Sequence, residues 1–148
     1  MGQDGDRASE RAAIERRIDS WLQALRNKDV DALMAHYAPD LLVYNLAPPM
    51  RSQGHAIPRQ AWKDWFASFD GPIGYELRDL RISHSYDVAF TTSVNHIWGL
   101  RKDGEGVEMW IRVTVGLCKI DGQWMATHEH VSVPFDMNTT KALFDQAP

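Results

Sequence analysis

The chain has a single cysteine, no long apolar run and no surplus of positive charge, and each shortage removes a class of protein. With Cys118 alone, no internal disulfide can form, which suits a reducing compartment such as the cytoplasm. No apolar stretch is long enough to span a bilayer, so no membrane partner is expected. The opening Met1-Gly2-Gln3-Asp4-Gly5-Asp6 holds no apolar segment and does not read as a secretory signal. Asp6 also stands where a myristoylation motif wants Ser or Thr. The 16 Lys and Arg against 20 Asp and Glu leave a net charge of −4. Without a basic stripe to meet phosphates, nucleic acid is not an expected partner. Neither a Gly-rich phosphate loop nor a Ser elbow occurs, and no cofactor is expected.

What is present is an ordinary globular composition, 148 residues with 44% hydrophobic and 24% charged. That is the length of one domain over 1–148, with an ordered core from about residue 9 to about residue 136. Residues 1 to about 8 read as a frayed polar start. Ile14, Ile18, Trp21, Leu22 and Leu25 then recur at helical spacing. Asp29 is placed to cap a short second helix with Val30, Leu33, Met34 and Tyr37 on its buried stripe, ended by Pro39-Asp40. A short strand is expected over 41–46, before Pro48-Pro49, and a third helix after Gly54 with Ile57, Trp62, Trp65, Phe66 and Phe69 on one face. Asp70-Gly71-Pro72 should close that helix. From there the period becomes two, with strands over 75–83, 87–100, 107–119 and 123–133 and a turn at Asp121-Gly122. A short helical or irregular tail follows around 139–144. Helices gathered early and strands gathered late predict an α+β domain with an antiparallel sheet.

Tryptophan is abundant: Trp21, Trp62, Trp65, Trp98, Trp110 and Trp124. Trp21, Trp62 and Trp65 fall on helical apolar stripes, where core packing is the plain reading and a pocket wall the other. On the last strand His128 and His130 share one face and Glu129 the other. If Asp121-Gly122 is a two-residue turn, Ile120 pairs with Gln123, Thr114 faces Glu129 and Arg112 faces Val131. Arg112, Thr114, Thr127 and Glu129 would then make one polar face, and a bulge would swap that pairing. Alternate histidines could also begin a metal site with a third ligand such as His96, but two hydrogen-bonded sheet histidines is the simpler account, so no metal is assigned.

The runs Val43-Tyr44-Asn45, Trp110-x-Arg112-x-Thr114, Asp121-Gly122-Gln123-Trp124 and His128-Glu129-His130-Val131-Ser132-Val133-Pro134-Phe135, in this element order, carry a resemblance. From about Ala12 to about Asp136 the chain resembles the SnoaL-like (polyketide-cyclase-like) branch of the nuclear transport factor 2-like, ketosteroid isomerase-like superfamily. The resemblance implies a cone-shaped fold, a curved antiparallel sheet, mixed at the edge, wrapped over three N-terminal helices. It implies a pocket for a small hydrophobic or carbonyl-containing ligand. Fold does not fix function in such a family, which hosts enzymes and binding modules alike. Matched to ketosteroid isomerases, the base position falls on Asn45, the tyrosine position on Trp21 and the oxyanion aspartate near Gly116. None of those groups is retained, so the familiar steroid isomerisation is not expected.

The chain is also similar to the calcium/calmodulin-dependent kinase association domain through Asp121, Gly122, Trp124, His128, His130 and Ser132, although Val131 stands in place of one of its pocket arginines. That similarity implies a non-catalytic binding or association role. Both resemblances place Glu129 inward. The expectation is therefore cofactor-independent acid–base chemistry with Glu129, His128 and Arg112 as catalytic groups. Trp21, Tyr44, Asn45, Trp62, Trp65, Thr114 and His130 are the expected substrate contacts. A homodimer is expected because the helices can cover only one face of the sheet.

Overall fold

A computed structural model describes residues 2–148, with residues 2–4 described by their backbone alone. Helix α1 spans Gly2–Arg26, α2 Val30–Met34 and α3 Ala56–Ala67. The strands are β1 Tyr37–Tyr44, β2 Ser52–Gln53, β3 Phe69–His84, β4 Val88–Arg101, β5 Gly106–Ile120 and β6 Gln123–Ser132. They form one curved, unclosed, mixed sheet of six strands in the order β2-β1-β6-β5-β4-β3. Every pairing is antiparallel except that of β1 with β6. No described helix is long and apolar enough to cross a membrane.

Local chemistry accounts for most of these elements. Ile14 and Leu25 of α1 are fully buried, with Ile18, Trp21 and Leu22 packed beside them, so the predicted stripe is the face laid on the sheet. Asp29 caps α2, its side chain accepting from the Ala32 amide at 2.9 Å. His55 ties the start of α3 to β1 by bonding the carbonyl of Ala38 at 2.8 Å. Asp121 and Gly122 both hold positive φ, 50° and 80°, as the tight hairpin between β5 and β6 requires.

Several boundaries differ from the sequence expectations. The polar start is helical from Gly2 onward, and Met1 lies outside the described residues. Tyr37 does not extend the stripe of α2 but opens β1. Asp70-Gly71-Pro72 does not end α3; it forms an irregular opening of β3, whose register shifts between Asp70 and Ile73. The two-residue strand β2 carries too little pattern to be read from sequence. Beyond β6 the chain is irregular, and Trp110 of β5 donates its amide to the Phe144 carbonyl at 2.8 Å.

The helices cover one face of the sheet. Ala89, Thr91, Ser93, Asn95 and Ile97 of β4 point into that face, as do Ile111, Val113 and Leu117 of β5. Val88, Phe90, Trp98 and Leu100 lie exposed on the other face.

Candidate functional site

The register of β5 against β6 decides which side chains reach the helix-covered interior. Ile120 pairs with Gln123, as a two-residue turn demands, and the ladder runs regularly to Leu117 opposite Ala126. There one extra residue, Thr127, is left unpaired, and the register resumes with Gly116 opposite His128 and Val115 opposite Glu129. The bulge turns Glu129 and Val131 to the same side as Val113 and Val115. It sends His128, His130 and Ser132 to the side of Arg112 and Thr114. The polar face expected from an unbroken ladder therefore does not exist.

Inside, two cavities meet at Glu129. The larger, about 290 Å³, is walled by Asn45, Trp62, Trp65, Tyr75 and Met109 among others. The smaller, about 80 Å³, lies among Ile18, Trp21, His36, Tyr37 and Ser93. Glu129 lines both. The larger is at the lower end of the range for small-molecule pockets, and its aromatic walls suit a flat apolar molecule. Trp62 stands edge-on to both Trp21, at 6.0 Å, and Trp65, at 5.5 Å between ring centres.

Glu129 is held between Val43 of β1 and Val115 of β5. Burial among apolar side chains disfavours its charge and pushes the carboxyl from 4.5 up to about 7, against the pull of a hydrogen bond from Tyr37. The Tyr37 hydroxyl accepts from the Trp21 indole at 3.0 Å, which leaves its own proton for the carboxylate. Across the pocket, Ser93 donates to the Asn95 amide oxygen at 2.7 Å, and Asn95 donates to the Tyr75 hydroxyl at 2.9 Å. Tyr75 is thereby left with a proton to offer. Burial raises both phenols above their ordinary value, with the charge of Glu129 adding to the effect, so both stay protonated donors at neutral pH. The arrangement is one carboxyl that titrates near neutrality between two oriented hydroxyls. It can move a proton and stabilise a developing oxyanion.

Five of the expected site residues come together here: Glu129, Trp21, Asn45, Trp62 and Trp65. Asn45 spends its side-chain oxygen on the Leu46 amide at 2.8 Å, so its carbonyl anchors the loop at the mouth. The other five point away from the cavities. Arg112 bonds the Ser132 hydroxyl at 3.1 Å on the outer face and is not the partner of Glu129. Thr114 sits opposite His130, not opposite Glu129. His128 bonds the Leu42 carbonyl at 2.8 Å, and Tyr44 stands edge-on against His128 and His130 at 4.9 and 5.4 Å. On β6 the bulge is the physical reason, while on β5 Arg112 and Thr114 alternate with the inward-facing Ile111 and Val113 and so point outward. Tyr44 follows because it pairs with His130. Among the described residues no three groups of metal-binding type converge.

A model of the SnoaL-like domain matches residues 14–136. The chain belongs to the SnoaL-like family. Its fold matches that of an NTF2-like protein of unknown function from Pseudomonas putida KT2440, with TM-score 0.86, 32% identity and coverage of 95% of this chain and 98% of that one. A ketosteroid isomerase-like protein from Erwinia carotovora atroseptica SCRI1043 shares the fold at TM-score 0.69 and 22% identity, over 82% and 93% of the two chains. The association domain of C. elegans CaMKII shares it at 0.68 and 18%, over 88% and 99%. No curated protein matches the sequence. The SnoaL-like pocket of this chain contains polar residues that the sequence reading did not single out for the site, among them His36, Tyr37, Tyr75, Ser93 and Asn95. A signal existed on β4, where Thr91, Ser93 and Asn95 share the phase of Ala89 and Ile97. Polar residues bracketed by apolar ones on one strand face mark a polar interior.

Proposed function

We propose that this SnoaL-like protein is a cofactor-independent acid–base enzyme acting on a small, largely apolar carbonyl compound. The observation that carries the reading is the Glu129 carboxyl, held near neutral titration by burial between two cavities with the Tyr37 hydroxyl against it. Glu129 takes a proton from the carbon beside the carbonyl and returns it. The Tyr75 hydroxyl, oriented by Asn95, donates to the enolate oxygen. A base whose pKa lies near the working pH combines availability with driving force. Asn45 and Trp21 stand where an isomerase of the familiar kind holds its base and its donor, so the chemistry is assigned to Glu129 and not to that older geometry.

The test is proton–deuterium exchange at the α-carbon of β-tetralone in D₂O, followed by NMR. The wild type should accelerate exchange, and Glu129→Gln should lower the acceleration by about 10²–10⁴-fold while keeping the fold. Exchange that persists in Glu129→Gln would overturn the assignment. A second reading, a non-catalytic binding or association module, draws on the absent isomerase base. It requires that β-tetralone raise the melting temperature with no exchange in the wild type.

We also propose a homodimer formed through the outer sheet face, where Phe90 and Trp98 are 52% and 38% exposed on a surface no helix covers. A single cysteine suits the cytoplasm for such an assembly. Sedimentation velocity should show a dimer at micromolar concentration, and Phe90→Glu should shift it to monomer. A monomeric wild type at high micromolar concentration refutes it.

A further inference from the structure

His36 follows α2 and is 8% exposed, with its ring at the wall of the smaller cavity. Its Nδ1 lies 2.9 Å from the Ala32 carbonyl, which fixes a proton there. That leaves Nε2 as a bare acceptor, and among the described residues it has no hydrogen-bond partner. A buried acceptor without a donor is uncommon and calls for an account. Arg17, also at this cavity, does not supply one. Its Nε donates to the Trp124 carbonyl at 2.9 Å and one terminal nitrogen to the Ala35 carbonyl at 3.4 Å. Burial, with the Arg17 charge beside it, keeps His36 below its ordinary value and therefore neutral at pH 7.

We propose that the smaller cavity is a subsite for a neutral hydrogen-bond donor on the ligand, a hydroxyl in first place, which donates to His36 Nε2 while the ligand's apolar body lies past Glu129 in the larger cavity. Glu129 lines both spaces, so a molecule that occupies both lies beside the carboxyl. The volume of about 80 Å³ admits a hydroxyl and a few carbons and no second ring. The Arg17 guanidinium opposes an ammonium donor, and the Ile14, Ile18 and Val113 walls disfavour any charge. The substrate class becomes a hydroxylated apolar carbonyl compound. The inference rests on the larger cavity being the ligand site.

The test pairs β-tetralone with its ring-hydroxylated analogue carrying the hydroxyl on the ring remote from the ketone. Binding to the wild type, read by tryptophan fluorescence, should favour the hydroxylated ketone about tenfold, the worth of one hydrogen bond to an otherwise unpaired acceptor. His36→Phe should erase that preference. Because His36→Phe gives up the bond to Ala32, two further readouts do not depend on its folding. In the wild type labelled with ¹⁵N in its imidazoles, the His36 Nε2 resonance should shift towards a hydrogen-bonded acceptor with the hydroxylated ketone only. Ala126→Val, which fills the smaller cavity from β6, should also abolish the preference. Equal binding of the two ketones overturns the proposal. So does an Nε2 resonance that both ketones shift alike, or that reads as bonded before ligand is added, since a resident water would then be its donor. Exchange at the α-carbon is scored separately. Exchange with no hydroxyl preference removes this subsite alone, whereas hydroxyl preference with no exchange removes the catalytic role of Glu129 alone.

Discussion

The two faces of the sheet use the same kinds of residue for opposite ends. Outside, His96 stacks flat on Trp110 at 4.2 Å with Arg78 over the same indole at 6.0 Å, and Tyr44 leans on His128 and His130. These are pairings that smooth an exposed strand surface, each contributing a few tenths of a kcal/mol to about 1 kcal/mol. Inside, the hydroxyls and the amide are bonded in two short chains: Trp21 to Tyr37, and Ser93 to Asn95 to Tyr75. There every bond is stronger and every unpaired group more costly, because little solvent competes. What separates a candidate catalyst from a surface ornament in this molecule is the side of the sheet, not the residue type.

The comparison is tested most severely by pH. Burial raises the Glu129 carboxyl from 4.5 to about 7, so between those values the native state keeps a proton that the unfolded chain has lost. Stability must therefore fall as pH rises from about 4.5 to about 7, and the loss is complete above that, at most roughly 3 kcal/mol. Glu129→Gln removes this group's share. It should melt higher than the wild type at pH 8 and nearly with it at pH 4, a gain in stability bought with the loss of turnover. Melting curves for the two that stay parallel from pH 4 to pH 8 would show that Glu129 carries no such burial cost.

A smaller effect separates neighbours on one strand. Asn95, 2% exposed, holds the Ser93 and Tyr75 hydroxyls, and Asn95→Ala would strand both. It should cost about 1–3 kcal/mol in urea unfolding. His96→Ala, one residue on and facing outward, should cost less than about 1 kcal/mol. Equal costs would mean that the inner chain of hydroxyls is not tightly made.

The order of elements was legible because hydrophobic period, the Asp29 cap and the Asp121-Gly122 turn are local signals, and local signals survive folding. The direction of Glu129 was legible only through the family resemblance. Counting back from the turn gave the wrong partners for it, since a bulge at Thr127 leaves no mark in composition or period. One unpaired residue turned His128 and His130 outward together and parted Glu129 from Arg112 and Thr114. The Tyr75, Ser93 and Asn95 cluster was missed for a different reason. Those residues lie far apart in sequence from Glu129, and only the curvature of the sheet brings their strands around one pocket.

Arg112 provides the finest discrimination because the sequence puts it on one polar face with Glu129, whereas in the structure it bonds Ser132 on the opposite face. Its guanidinium is exposed, so removing it costs a solvent-screened bond worth under about 1 kcal/mol. Had it faced Glu129, a cation beside the carboxyl would hold the proton affinity down, and its loss would raise the pH at which activity appears. With Arg112 outside, Arg112→Ala should leave the α-exchange rate on β-tetralone and its pH midpoint unchanged, even where association of two chains is weakened. A midpoint displaced upward in Arg112→Ala would mean that the charge is felt inside. The sheet would then not insulate the pocket from the charges on its outer face.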